Sequence, residues 1–245
     1  MASGCLMEKI VIYTAISGSG RDFLKDPEPI SGVDYVCFTD QPFKSNVWKI
    51  EPFKEIYAAT GITAKHPKIL PHEYFTGYDL SIWVDGNMCP KQNIVDFAHC
   101  FLNDKKIALH KHPRRNCPYD EGDYIKKIGK ASFNEVQPQL DYYNSLGMPK
   151  GFGLWECGML FRYHNEPTII SAMNEWRNQL IKFEQFNDQI SFSFVVWNKS
   201  LDVNTINKNV READYVEYQS HSEVTHNGSR FVVRPVIKRR RFTNA

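Results

Sequence analysis

The sequence predicts an α/β fold in which parallel strands alternate with helices in a doubly wound pattern. Three observations carry that expectation. Short β-branched runs, almost continuously apolar, recur through the first half, as strands covered on both faces require. Between them lie segments with the apolar spacing of helices. No internal repeat or linker divides the 245 residues, so a single domain over residues 1–245 is expected, with its core at about residues 9–197 and residues 198–245 closing the site or forming a tail.

Lys9–Ile16 reads as the first strand and runs into the loop Ser17-Gly-Ser-Gly20. Val33–Asp40 is its expected parallel neighbour, because a short crossover carrying Phe23 and Leu24 separates two equally apolar runs. Trp48–Ile50 suggests a third, shorter strand. Ala64–Phe75 has helical spacing but contains Pro67 and Pro71, which remove backbone donors, so a broken or loop-started helix is expected. Tyr78–Asp85 is a strand that ends on a carboxylate followed by Gly86. Ile94–Leu102 is an amphipathic helix and Ile107–Lys111 a return strand. From His112 to Pro149 the chain is polar with a helical centre, and Gly153–Arg162 is another strand. Ile169–Phe183 and Asp188–Trp197 read as helices, after which apolar residues are sparse until Arg230–Arg234.

Composition narrows the function. A hydrophobic content of 42% suits a sizeable core, and 13% aromatics suit a cleft that stacks rings or sugars, although core filling accounts for most of them. The formal charge of +2, from 30 basic and 28 acidic residues, argues against a nucleic-acid binder acting through its overall field. An anionic ligand must then be held locally. Six Cys without a C-x-x-C pair or Cys/His cluster predict free thiols rather than a zinc site or a disulfide framework. No stretch approaches the roughly 20 apolar residues of a membrane span, and Met1–Ile10 lacks a signal core, so a soluble, cytoplasmic chain is expected.

The most informative chemistry lies at Asp85-Gly86-Asn87, just past a hydrophobic strand, where open α/β sheets bind ligands. Two oxygens spaced i, i+2 across a glycine can converge on a hard divalent cation, with a diphosphate completing its shell. A simple turn is the bland alternative. Lys111-His-Pro-Arg-Arg115, with Lys65 and Lys68, offers counter-charge for phosphate, or else a solvated basic loop. Glu156 stands inside an apolar run and needs a partner or a polar cleft. Asp188 opens a helix, as either a first-turn acid or a functional carboxylate. His221 and His226 fall in a polar, Ser-rich loop and are candidate metal ligands. The basic run Lys238–Arg241 suggests peripheral attraction to an anionic membrane, or a solvated end.

Taken in chain order, Val11–Ser17, Asp34–Asp40, Lys68–His72, Tyr78–Asn87, His112–Arg114 and Asp188–Phe192 resemble the glycosyltransferase-like domain found in plant mucilage-related proteins, bacterial polysaccharide clusters and large viruses. The resemblance covers about Lys9–Trp197. It implies a GT-A fold, a Rossmann-like nucleotide-binding half fused to an acceptor half around one mixed, mainly parallel sheet. It also implies a nucleoside diphosphate sugar donor, UDP-linked by expectation, with Mn²⁺ or Mg²⁺ on an Asp-x-Asp-type motif. Here that motif is Asp85-Gly86-Asn87, lacking its second acid, so the metal would rest on Asp85 and Asn87 with the diphosphate and one later histidine, His221 or His226. By analogy Tyr13, Thr14, Ala15 and Asp40 hold base and ribose, and Lys68, Trp83, His112, Arg114 and Gln189 complete the donor site. Asp188 is the first candidate for catalysis and Glu156 the second, either deprotonating the acceptor or stabilising the donor's reacting face.

The implied reaction moves a hexosyl unit onto a hydroxyl of a glycan or lipid-linked acceptor in polysaccharide synthesis. Two other classes stay open. A plant relative assigned a ceramidase-type activity keeps metal-dependent amide or ester hydrolysis in view, although neither Gly-x-Ser-x-Gly nor His-Glu-x-x-His occurs. A non-catalytic carbohydrate-binding domain would explain the aromatics but not Asp85, Arg114 and Asp188.

Overall fold

The apolar runs form the strands expected of them in the computed structural model, which describes residues 7–18, 22–57, 60–184, 187–219, 224–226 and 229–231. The first half contains β1 (Ile10–Ile16), β2 (Val33–Thr39), β3 (Lys49–Glu51), α1 (Thr60–Ile69), β4 (Leu80–Val84), β5 (Met88–Pro90), α2 (Ile94–Leu102) and β6 (Ile107–Lys111). The second contains α3 (Pro118–Lys127), α4 (Phe133–Ser145), β7 (Trp155–Arg162), α5 (Pro167–Phe183), α6 (Asp188–Asn198), β8 (Asn204–Ile206), β9 (Val216–Tyr218), β10 (Val224–His226) and β11 (Ser229–Phe231).

Seven strands form one sheet in the order β3-β2-β1-β4-β7-β6-β8. Only β7 is reversed, antiparallel to both β4 and β6, so the sheet is mixed and mainly parallel. Alternate strand residues bury both faces. Tyr13, Phe38, Trp83, Leu109 and Leu160 pack beneath α1, α3, α4, α5 and α6. On the other face Ile12, Cys37, Ile82, Ala108 and Phe161 pack with α2, whose buried Ile94, Ala98 and Leu102 share one stripe, and with the chain around Tyr215.

Local chemistry explains most boundaries. Pro118 starts α3, Asp120 and Glu121 follow in its first turn, and Lys126 and Lys127 close it, matching the helix dipole. A capping box at Ser132 and Glu135 starts α4. A Cβ on Gly122 would lie 2.5 Å from Leu140 Cδ1, so α3 and α4 approach closely there.

Three expectations need correction. α1 runs through Pro67, which forgoes the bond its N–H would have made to the Thr63 carbonyl, and the expected break falls instead at Pro71, which opens a short 3₁₀ turn. The stretch from His112 to Pro149 holds two helices instead of one helical centre. The sparse region after Trp197 still contributes β8 to the sheet and β9 to a ladder with β5, and its buried residues run to Val216. Among the described residues no helix is long and apolar enough to cross a membrane, and Cys37, Cys89, Cys100, Cys117 and Cys157 are free. His221 and Lys238–Arg241 lie outside the described residues. His226 falls in strand β10 rather than a loop, with its side chain also outside them.

Candidate functional site

β1, β2, β4 and β6 end at one edge of the sheet, where reversed β7 begins. From β1 the chain moves outward to β2 and β3, then returns to β4 on β1's other side. That change of direction falls between β1 and β4, and the carboxyl ends of the strands beside such a point are the usual ligand position in open α/β sheets. Asp85 stands there, its N–H bonded to the Gly158 carbonyl at 2.8 Å, and the Met88 N–H closes a turn onto the Asp85 carbonyl at 2.8 Å. The turn therefore coexists with an exposed carboxylate. A Cβ on Gly86 would lie 2.8 Å from Ile16 Cγ1, so only glycine lets this turn lie against the end of β1.

Behind Asp85 is a buried ionic cluster. Lys68 Nζ donates to Asp188 Oδ2 at 2.7 Å and to Asp85 Oδ1 at 3.4 Å, and Lys65 Nζ lies 3.7 Å from Asp188 Oδ2. Trp83 Nε1 donates to Asp85 Oδ1 at 2.8 Å, and its ring centroid lies 5.5 Å from Lys68 Nζ. Burial pushes the Asp188 carboxyl up, but Lys65 and Lys68 outweigh it and hold the group well below the usual carboxylate range. Burial likewise opposes the Lys68 charge, yet Asp188 and Asp85 hold its pKa above the ordinary lysine value. For Lys65 burial wins and lowers the pKa. Asp188 also sits in the first turn of α6, where the helix dipole favours a negative charge.

The basic loop is tied to that helix. His112 Nδ1 accepts the main-chain N–H groups of Arg114 at 3.2 Å and Arg115 at 3.0 Å, and burial lowers its pKa. Arg115 Nε donates to buried Glu121 at 2.5 Å, and Asn187 Nδ2 donates to the other Glu121 oxygen at 3.1 Å. Asn187 caps α6 by accepting the Gln189 N–H at 3.1 Å. Arg114 and Lys111 are left exposed at the sheet edge.

Other expected residues are placed differently. The side chains of Tyr13, Thr14 and Ala15 are interior, with Tyr13 turned to the Lys68 carbonyl. Asp40 is exposed and accepts the Gly18 N–H at 3.0 Å, just past the end of β1. Lys68 and Trp83 are buried supports of the two carboxylates, not open phosphate ligands. Gln189 is partly exposed beside Asp188. Glu156 lies on the other face of β7 from Cys157, paired with Arg211 Nη1 at 2.5 Å, its second oxygen buried without a partner. Sequence reading missed Glu121, Arg162, Arg211 and Gln219, whose only sequence signal is a charged or polar residue near an apolar stretch.

The metal expectation meets a partial fit. Among the described residues no three His, Cys, Asp or Glu side chains gather. Asn87 Nδ2 is committed to the Gln219 carbonyl at 3.0 Å. Asp85 remains 42% exposed, and the absent Cβ of Gly158, which would lie 3.3 Å from Oδ2, leaves that oxygen open. Such a site fits a cation anchored by one carboxylate that draws further oxygens from bound phosphates, as Mg²⁺ does.

Residues 33–221 match the model of the family described as TOD1/MUCI70, glycosyltransferase-like domain. A curated relative, the "Probable hexosyltransferase MUCI70" of Arabidopsis thaliana, is 24% identical over 169 residues, covering 62% of this chain. The chain spans only 28% of that relative's length. Among solved structures, the apo form of the bifunctional glycosyltransferase WbbM aligns with a TM-score of 0.46 and 11% identity, over 81% of this chain and 38% of that one.

Proposed function

The chain belongs to the TOD1/MUCI70 glycosyltransferase-like domain family, and from that membership we propose that it is a metal-assisted glycosyltransferase using a nucleoside diphosphate sugar. The observation that carries this reading is half-exposed Asp85 at the carboxyl edge of the sheet, backed by buried Lys68 and Asp188 and partly buried Lys65. Fixed charges behind an open carboxylate suit a reaction in which charge develops on a departing diphosphate.

In the proposed transfer the anomeric bond to the diphosphate breaks, an acceptor hydroxyl oxygen bonds to that carbon, and the hydroxyl proton passes to the departing diphosphate. Arg114 and Lys111, exposed at and just after the carboxyl end of β6, contact the diphosphate. Asp85 holds a divalent metal, Mn²⁺ or Mg²⁺, with Asn87, His221 and His226 as further candidate ligands. When bound, that ion neutralises the leaving diphosphate. Support for His221 comes from Gln219, two residues earlier, whose N–H and carbonyl both bond Asn87. Asp188, kept ionised by two ammonium groups, is a weak base, and this favours stabilising positive charge on the donor over abstracting a proton. The acceptor is proposed to be a glycan or lipid-linked hydroxyl, reached in the cytoplasm with peripheral membrane contact through the basic C-terminal run.

Thermal unfolding with UDP, GDP and their sugars, with and without Mn²⁺, tests the proposal, since a ligand of the native state raises the midpoint. One nucleotide should raise it, more so with Mn²⁺, and Asp85→Ala should abolish the gain. Folded protein that responds to no nucleotide would sink the donor assignment and favour hydrolysis or carbohydrate binding.

A further inference from the structure

Arg162, the last residue of β7, is fully buried, and among the described residues no carboxylate pairs with it. A guanidinium so placed is costly unless its partners compensate. Nη2 donates to the main-chain carbonyl of Lys68 at 2.7 Å and to the Tyr13 hydroxyl, Nη1 lies 3.3 Å from Met173 Sδ, and Nε has no partner. Tyr13 donates to the same Lys68 carbonyl at 3.2 Å. Burial raises the Tyr13 phenol to about 12, so it stays neutral and supplies no counter-charge. Lys68 belongs to the last turn of α1, where carbonyls lack helical partners and carry the negative end of the dipole. Side chains from two central strands thus hold the backbone of Lys68, whose ammonium is within hydrogen-bond distance of both Asp85 and Asp188.

We infer that Arg162 is a positioning residue, which fixes the Lys68 carbonyl and thereby sets the ammonium bridging Asp85 and Asp188. A guanidinium kept only for the fold could be replaced by Met, of similar bulk, with little loss of stability or a gain. One kept for the site could not be replaced without loss of function.

The experiment uses the full chain with Arg162→Met, Arg162→Lys and Tyr13→Phe. The first readout is the ¹H–¹⁵N signal of the Lys68 ammonium, assigned by its disappearance in Lys68→Met and visible while the group is held in hydrogen bonds. Donor kinetics and the unfolding midpoint are measured alongside. In folded Arg162→Met the ammonium signal should broaden or shift, and kcat should fall about 10-fold or more with donor KM nearly unchanged. Arg162→Lys should recover part of both, and Tyr13→Phe should show the same change on a smaller scale, which preserves the test if Arg162→Met does not fold. The kinetic arm rests on the transferase reading, whereas the ammonium signal does not. An unchanged signal in the folded variants, or an unchanged kcat in active enzyme, overturns the inference. A changed signal in a protein that transfers nothing upholds the grip on Lys68 and removes the transferase reading instead.

Discussion

Lys68 Nζ lies 2.7 Å from Asp188 Oδ2, across 120 residues of sequence, and both side chains are largely withdrawn from water. Removing one partner of such a pair leaves a buried charge. Lys68→Met should therefore cost about 3–5 kcal/mol of unfolding free energy, measured by urea denaturation at neutral pH. The double variant Lys68→Met with Asp188→Asn should recover most of it. A single-variant loss below about 1 kcal/mol would place the pair among exposed ion pairs instead.

The same pair fixes the sign of the acid response. Asp188 has a depressed folded pKa, so its stabilising contribution is complete above the unfolded value of 3.8 and is lost as the pH falls below it. The raised folded pKa of Lys68 gives a contribution complete below 10.5 and lost only as the pH rises beyond it. Asp188→Asn should flatten the stability profile between about pH 4 and pH 2, followed by denaturant midpoints across that range. A variant with the wild-type acid limb would assign that limb to other carboxylates.

Gly86→Ala places a methyl group 2.8 Å from Ile16 Cγ1. Overpacking of this kind costs about 1–3 kcal/mol, and it pushes Asp85 away from β1. The expected result is a lower unfolding midpoint together with weaker nucleotide-dependent stabilisation. Full nucleotide response in the variant would show that the close approach matters to the fold alone.

Asn87→Ala removes the side-chain bond to the Gln219 carbonyl but keeps the main-chain bond from the Gln219 N–H. The expected loss is about 0.5–1.5 kcal/mol, with faster proteolytic cutting after Tyr218 as the more sensitive reading. Equal cutting rates would mean that the β5–β9 ladder alone holds this part of the chain.

Strands β1, β2, β4 and β6 were legible because a strand buried on both faces must be apolar throughout, and such runs stand out. The placement of Asp85 followed directly from the end of its run. Pro67 does not break α1 because one forgone backbone bond is outweighed when the helix packs on α5 and β1. Three-residue strands such as β8 and β9 carry no periodicity to detect. At the site, residue types were readable but pairings were not: Lys68 looked like a phosphate ligand and is instead enclosed by two carboxylates. Contacts such as Arg162 to the Lys68 carbonyl join residues 94 positions apart, and nothing local in the sequence marks them.

The reversed strand β7 also sets the order of events during biosynthesis. It lies between β4 and β6, so the edge of β4 built from Leu80–Val84 stays unpaired until Trp155–Arg162 has left the ribosome. An apolar, unpaired edge is a template for wrong partners. A nascent chain stalled before β7 therefore leaves that edge of β4 open, and one that has passed β7 covers it with the strand that ends in Arg162.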